Sequence, residues 1–244
     1  MSDDSSKKVE QPKASDTETP VGWGVLGALI YSTLAYLVPQ VVLVPLAPIL
    51  LQLAPYSTNT QTFVLHAAIE LLTVVTIAFI VRAYRLRLRD IGLGSFDPMH
   101  LAYAVGGFIV YFVLSISINE VVSRFIQVDQ NQPQELGYAS PVGLELVLIF
   151  VALVVLAPLA EELLFRGFLY RGLRRRLSFI PATLVTSLLF AVAHAQLNVG
   201  LDVFALSLVL CYMREKTDSL WPGILLHATK NAVAFSLLFV IMTE

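Results

Sequence analysis

Several polar side chains stand in apolar surroundings where a charge is costly. Glu161, Glu162 and Arg166 lie in the run from Ala160 to Tyr170, His194 closes Phe190-Ala191-Val192-Ala193-His194, and His227 and Asn231 bracket His227-Ala228-Thr229-Lys230-Asn231. In hydrocarbon an unpaired charge costs several kcal/mol, so ionisable groups at such places are functional candidates. On a helix, Glu162 and Arg166 are i,i+4 neighbours and can pair. Glu161 points about 100° away from Glu162 and has no partner at that spacing. One carboxylate is therefore read as structural and the other as free for chemistry. His227 and Asn231 are also four apart and share a helix face. A spare glutamate, two histidines and an asparagine cover the needs of hydrolysis: a carboxylate or imidazole activates water, and neutral donors hold the oxyanion of a tetrahedral intermediate.

The elements that carry these groups are membrane segments. The chain has 244 residues, 57 % of them hydrophobic and only 14 % charged, with a mean hydropathy of +0.74. A soluble domain carries about 25 % charge, so the expected class is an all-α, polytopic transmembrane helical bundle. A net charge of −2 gives no reason to expect nucleic acid as a partner. The single cysteine, Cys211, excludes an intramolecular disulfide and lacks the companions of a thiolate metal site.

Residues 1–20 are polar and charged, with hardly anything to bury, and read as a disordered tail. Residues 21–244 read as one membrane-embedded helical domain of about seven segments. The first runs from Val21 to about Ala54. It is interrupted by Pro39, Pro45 and Pro48, so a spanning helix followed by a kinked or interfacial extension is expected. The others are expected at about Gln61 to Val81, Leu101 to Asn119, Pro141 to Tyr170, Phe179 to Leu197, Leu201 to Met213 and Trp221 to Met242. The sixth is short and opens on Asp202. Positive charge orients the chain. Arg82, Arg85, Arg87, Arg89, then Arg171, Arg174, Arg175, Arg176, then Arg214 and Lys216 fall in every second loop, against Arg124 alone in the others. The N-terminus is therefore expected in the cytoplasm and the C-terminus outside, in a multi-pass protein of the plasma membrane.

Measured from those cytoplasmic ends at about 1.5 Å per residue, Glu161 lies about 15 Å deep, His194 about 22 Å and His227 about 10 Å. All fall within the bilayer. Pro158, just before Glu161, removes a backbone donor and is expected to free a carbonyl there. His66 and Glu70, also four apart, are read as structural interhelical groups.

The ordered trio Glu161-Glu162-x-x-x-Arg166, Phe190-x-x-x-His194 and His227-x-x-x-Asn231 resembles the CPBP family. That family comprises the type II CAAX prenyl endopeptidases and the bacteriocin-processing, immunity and abortive-infection-like proteins. The lead-in Ser219-Leu220-Trp221-Pro222-Gly223-Ile224-Leu225-Leu226-His227 is similar to the family's approach to its third motif, and the likeness covers about residues 140–240. It implies an intramembrane endopeptidase acting on a membrane-associated, sometimes lipidated, peptide or protein. By the same likeness Glu161 with His194 activates water, His227 and Asn231 stabilise the oxyanion, and Glu162 with Arg166 supports the site.

Metal dependence stays open. There is no H-E-x-x-H helix, yet Glu161, His194 and His227 could supply three zinc ligands. Two other readings compete with the peptidase. A non-catalytic immunity or regulatory partner on the same scaffold has no need of Glu161 and His194 together. A proton-coupled transporter would show a repeat of the polar motifs between the two halves of the chain, which is absent.

Overall fold

The computed structural model describes residues 24–52, 56–129, 132, 134 and 136–241; the expected polar tail lies outside the described residues. Among these there are helices and no strand. The helices are α1 (Val25–Gln52), α2 (Thr58–Ala83), α3 (Met99–Ser123), α4 (Leu144–Arg174), α5 (Phe179–Ala193), α6 (Leu197–Thr217) and α7 (Trp221–Ile241). A short 3-10 turn, Leu88–Ile91, follows α2. All but α5 are long and apolar enough to cross a membrane. The chain is a multi-pass membrane protein built as a polytopic helical bundle.

Its outer surface shows why. Phe79 is 73 % exposed and Leu71 65 %, and Ile109, Val113 and Leu188 also point outward. A soluble protein would hide such side chains, and a bilayer is the solvent that accepts them. The interior is built round the second half of α4, where every residue of Leu163–Tyr170 is buried. Phe165, Phe168 and Leu169 pack there with Ile77 of α2, Ala35 of α1 and Phe190 of α5. A second cluster joins α3, α6 and α7 through Tyr111, Leu210 and Leu226. Gly107 makes that approach possible, because a Cβ there would lie 2.7 Å from Leu226 Cδ1.

Most boundaries fall within a few residues of expectation, and three differences are informative. The fifth segment stops at Ala193 rather than Leu197, with His194 as its C-terminal cap. The His194 ring Nδ1 is 2.9 Å from the Phe190 carbonyl, Tyr36 Oη donates to the Ala193 carbonyl at 2.8 Å, and Ala195 turns to φ +53°. Side chains thus satisfy the orphan carbonyls of the helix end. At 15 residues the helix is about 22 Å long, short of a hydrocarbon core of about 30 Å.

The sixth segment is correspondingly longer than expected, Leu197–Thr217. Asp202 does not end it, because its carboxylate is fully engaged. Tyr111 Oη and Ser115 Oγ donate to Oδ1 at 2.7 Å each, and Lys230 Nζ stands 3.2 Å from Oδ2. The first segment is one helix to Gln52 in spite of its three prolines, where a separate extension was expected.

Two ties hold the ends of the site helices. Glu145, in the first turn of α4, accepts from Asn59 Nδ2 at 2.8 Å and from Ser57 Oγ, which also caps α2. At the other end, the Leu220 N–H donates to the Gly92 carbonyl at 2.9 Å and Trp221 Nε1 to the Gly94 carbonyl at 2.9 Å. The start of α7 is therefore pinned by the loop after α2.

Candidate active site

Helix α4 is irregular where its carboxylates sit. The α-helical turn Ala157–Glu162 lies between two wide turns, Val151–Leu156 and Leu163–Tyr170, in which the N–H reaches back five residues. Such π turns often mark functional places. The Ala157 N–H bonds the Ala152 carbonyl. In that register the donor for Leu153 would come from residue 158, and Pro158 has no N–H. Asn231 fills the gap from α7, its Nδ2 donating to the Leu153 carbonyl at 2.8 Å. The carbonyl expected to be freed by the proline is thus taken by a side chain of the third motif.

Glu162 is locked from three sides. Arg166 Nη1 donates to its Oε1 at 2.9 Å, and the two side chains are 0 % and 1 % exposed. His227 Nδ1 stands 3.2 Å from the same oxygen. A Cβ at Gly223 would come within 2.8 Å of Oε2. Gly223 and His227 are one turn apart on α7, so a missing side chain and a present one together shape the seat of this carboxylate. That seat lies against the first turn of α7, where the helix dipole favours a negative charge. The Arg166 guanidinium lies 4.4 Å from the Phe190 ring centroid, a cation–π contact inside a dry core. Phe190 also packs edge-on against His194 and His227, with centroids 4.9 and 5.9 Å apart. The phenylalanine of the second motif is the wedge that joins all three.

Glu161 is different. It is 24 % exposed and lines a cavity of about 440 Å³ together with His194, His227, Lys230 and Asn231. His227 Nε2 is 3.7 Å from Glu161 Oε2. A proton on Nδ1 makes His227 the donor in its contact with Glu162 Oε1. The chemistry of Nε2 then depends on whether the ring holds a second proton. His194 donates through Nδ1 to the Phe190 carbonyl, which leaves its Nε2 free in the neutral ring.

Of the residues expected to form a site, Glu162 and Arg166 are paired in the core, and Glu161, His194, His227 and Asn231 line one cavity. Glu161 approaches His227 most closely, where His194 was the expected companion. Two residues read as purely structural, His66 and Glu70 of α2, also line the cavity, as do Tyr36 and Gln40 of α1. His66 Nδ1 is 2.9 Å from Tyr138 Oη. Their i,i+4 spacing was a visible signal, but only the packing of α2 along α4 brings them to this place. Among the described residues no group of three His, Cys, Asp or Glu side chains is arranged to hold a metal ion. Glu161, His194 and His227 do not converge as a ligand set.

Residues 143–233 match the family model described as type II CAAX prenyl endopeptidase Rce1-like. Among curated proteins, the chain is 26 % identical over 84 residues to the "Putative membrane peptidase YdiL" of Bacillus subtilis, covering 34 % of each chain. It is 34 % identical over 100 residues to an "Uncharacterized 24.3 kDa protein" of Escherichia coli, covering 39 % of this chain and 45 % of that one. The matched part spans less than half the length of either relative. No solved structure matches. The segment that resembles this family model, residues 143–233, holds all three motifs, from Glu161 to Asn231.

Proposed function

We propose that the chain is a CPBP-type intramembrane endopeptidase, which hydrolyses a peptide bond of a membrane-associated substrate, lipidated substrates included, by means of a water activated by Glu161 and His194. The observation that carries this reading is the division of the carboxylates. Glu162 is spent on Arg166 and His227, whereas Glu161 faces a cavity lined by groups able to bind and polarise a peptide carbonyl.

In the proposed reaction Glu161 takes a proton from water held beside the free Nε2 of His194, and the hydroxide oxygen attacks the carbonyl carbon. The oxyanion is met by Asn231, which keeps one amide N–H after donating the other to Leu153. His227 can add a second donor at Nε2 when its ring carries both protons. Arg166 and Phe190 hold that constellation without touching substrate. Zinc has no obvious seat among the candidate ligands, so no step is routed through it. The protein is assigned to the plasma membrane, with the arginine-rich loops on the cytoplasmic side.

Purified protein in proteoliposomes, incubated with a proteome-derived peptide library with and without S-farnesylation, tests the activity by the new termini seen in mass spectrometry. Cleavage that Glu161→Ala abolishes supports the peptidase. Unchanged peptides with wild-type protein, together with specific capture of a membrane protein, would favour the immunity or regulatory reading. Cleavage lost on chelation and restored by stoichiometric zinc would overturn the metal-free chemistry.

A further inference from the structure

The cavity contains a second carboxyl group that the three motifs do not include. Glu70 belongs to α2, outside the segment that matches the family model, yet it lines the same cavity as Glu161, His194 and Asn231. Helix α2 packs along α4 on both sides of the Glu161 turn, so that Glu70 and Glu161 border one cavity from two helices. The cavity's nearest cation, Lys230, is committed to Asp202. Two carboxyl groups in one low-dielectric cavity are stabilised by sharing a single proton, because two neighbouring negative charges are costly there. Such a pair can give and take a proton within one catalytic cycle.

We propose that Glu70 is a further catalytic residue, the general acid that protonates the leaving amine. The inference rests on the peptidase reading above. The ionised member of the pair, Glu161, accepts a proton from water as the hydroxide oxygen bonds to the carbonyl carbon. As the C–N bond breaks, Glu70 delivers its proton to the departing nitrogen, and the carboxylic acid and amine products form. Glu161 then returns its proton across the cavity to Glu70. One water is consumed, no net proton moves, and no other reactant is needed. An amide needs this help because its nitrogen cannot leave as an anion, whereas a thiolate can.

The experiment compares a peptide that wild-type protein cleaves with the same peptide carrying a thioester at the scissile bond. Glu70→Gln, nearly isosteric, should slow amide cleavage about 10²–10⁴-fold and thioester cleavage less than about threefold, with its melting temperature in detergent unchanged. Glu161→Gln should abolish both reactions, because water activation is common to them. Glu70→Asp should recover part of the amide rate. Equal losses on both substrates, or undiminished amide cleavage by Glu70→Gln, would overturn the role of Glu70 and leave the peptidase reading standing. Absence of all cleavage by wild-type protein would remove both.

Discussion

His227 touches Glu162 through one ring nitrogen and faces Glu161 with the other, at 3.2 Å and 3.7 Å. A single imidazole therefore lies between a carboxylate locked in the core and one open to a cavity. The arrangement explains how adjacent glutamates on one helix take different parts. Helical spacing turns them about 100° apart, and Arg166, four residues on, pairs with only one of them.

The first expectation concerns that pair. Removing Arg166 leaves Glu162 buried without its cation, a loss of about 3–5 kcal/mol by analogy with other buried pairs. Arg166→Ala should lower the thermal stability of the protein in detergent by that order, and Glu161→Gln should leave it nearly unchanged. Thermal denaturation of both variants checks this, and equal destabilisation would show that Glu161 is structural as well.

Gly223 offers a second test. A methyl group there would sit 2.8 Å from Glu162 Oε2, and the carboxylate cannot easily retreat because Arg166 and His227 hold Oε1. Gly223→Ala should destabilise the fold by about 1–3 kcal/mol through overpacking, although alanine is the better helix former. An unchanged or raised melting temperature would mean that Glu162 has room to move.

A third expectation follows from Leu153, Pro158 and Asn231. Asn231→Ala leaves the Leu153 carbonyl without a partner, costing about 1–3 kcal/mol. Pro158→Ala supplies the N–H that the wide turn lacks. In a double-mutant cycle the two changes should be non-additive, with Asn231→Ala costing less stability in the Pro158→Ala background. Strict additivity would show that Asn231 does not compensate for the proline.

The topology gives a fourth. Reporter fusions near Arg85, Arg175 and Lys216 should report the cytoplasm, and those near Ser57 and Gln132 the opposite side. A cytoplasmic signal at Gln132 would contradict the orientation. The shortness of α5 does not change this expectation, because Ser178 before α5 and Asp218 after α6 are on the same side whether the α5–α6 hairpin crosses or turns back within the bilayer.

The apolar runs and the motif residues were legible in the sequence because hydrophobic length and i,i+4 spacing are local properties. Glu162 with Arg166, and His227 with Asn231, could be placed on shared faces before any fold was known. The end of α5 and the start of α6 were not legible. The sixth segment reads as short because Asp202 stands at its start, and the groups that engage its carboxylate, Tyr111, Ser115 and Lys230, lie on other elements. The wide turns of α4 depend on Asn231 supplying what Pro158 removes. From the sequence Glu70 reads as structural, because its place in the cavity comes from the packing of α2 along α4, which no spacing within α2 reveals. The reason for the smallness of Gly223 is a carboxylate on another helix, which spacing within α7 does not reveal.

The most direct test of the proposed chemistry is the rate of peptide cleavage by Glu161→Ala, with substrate affinity measured on the same sample. Turnover should disappear while binding survives, since Glu161 is assigned to the transition state and not to ground-state recognition. Asn231→Ala, lacking one oxyanion donor, should keep a residual rate about 10²–10³-fold below wild type. Cleavage by Glu161→Ala at a rate near that of wild type would contradict the assignment of this carboxylate as the base.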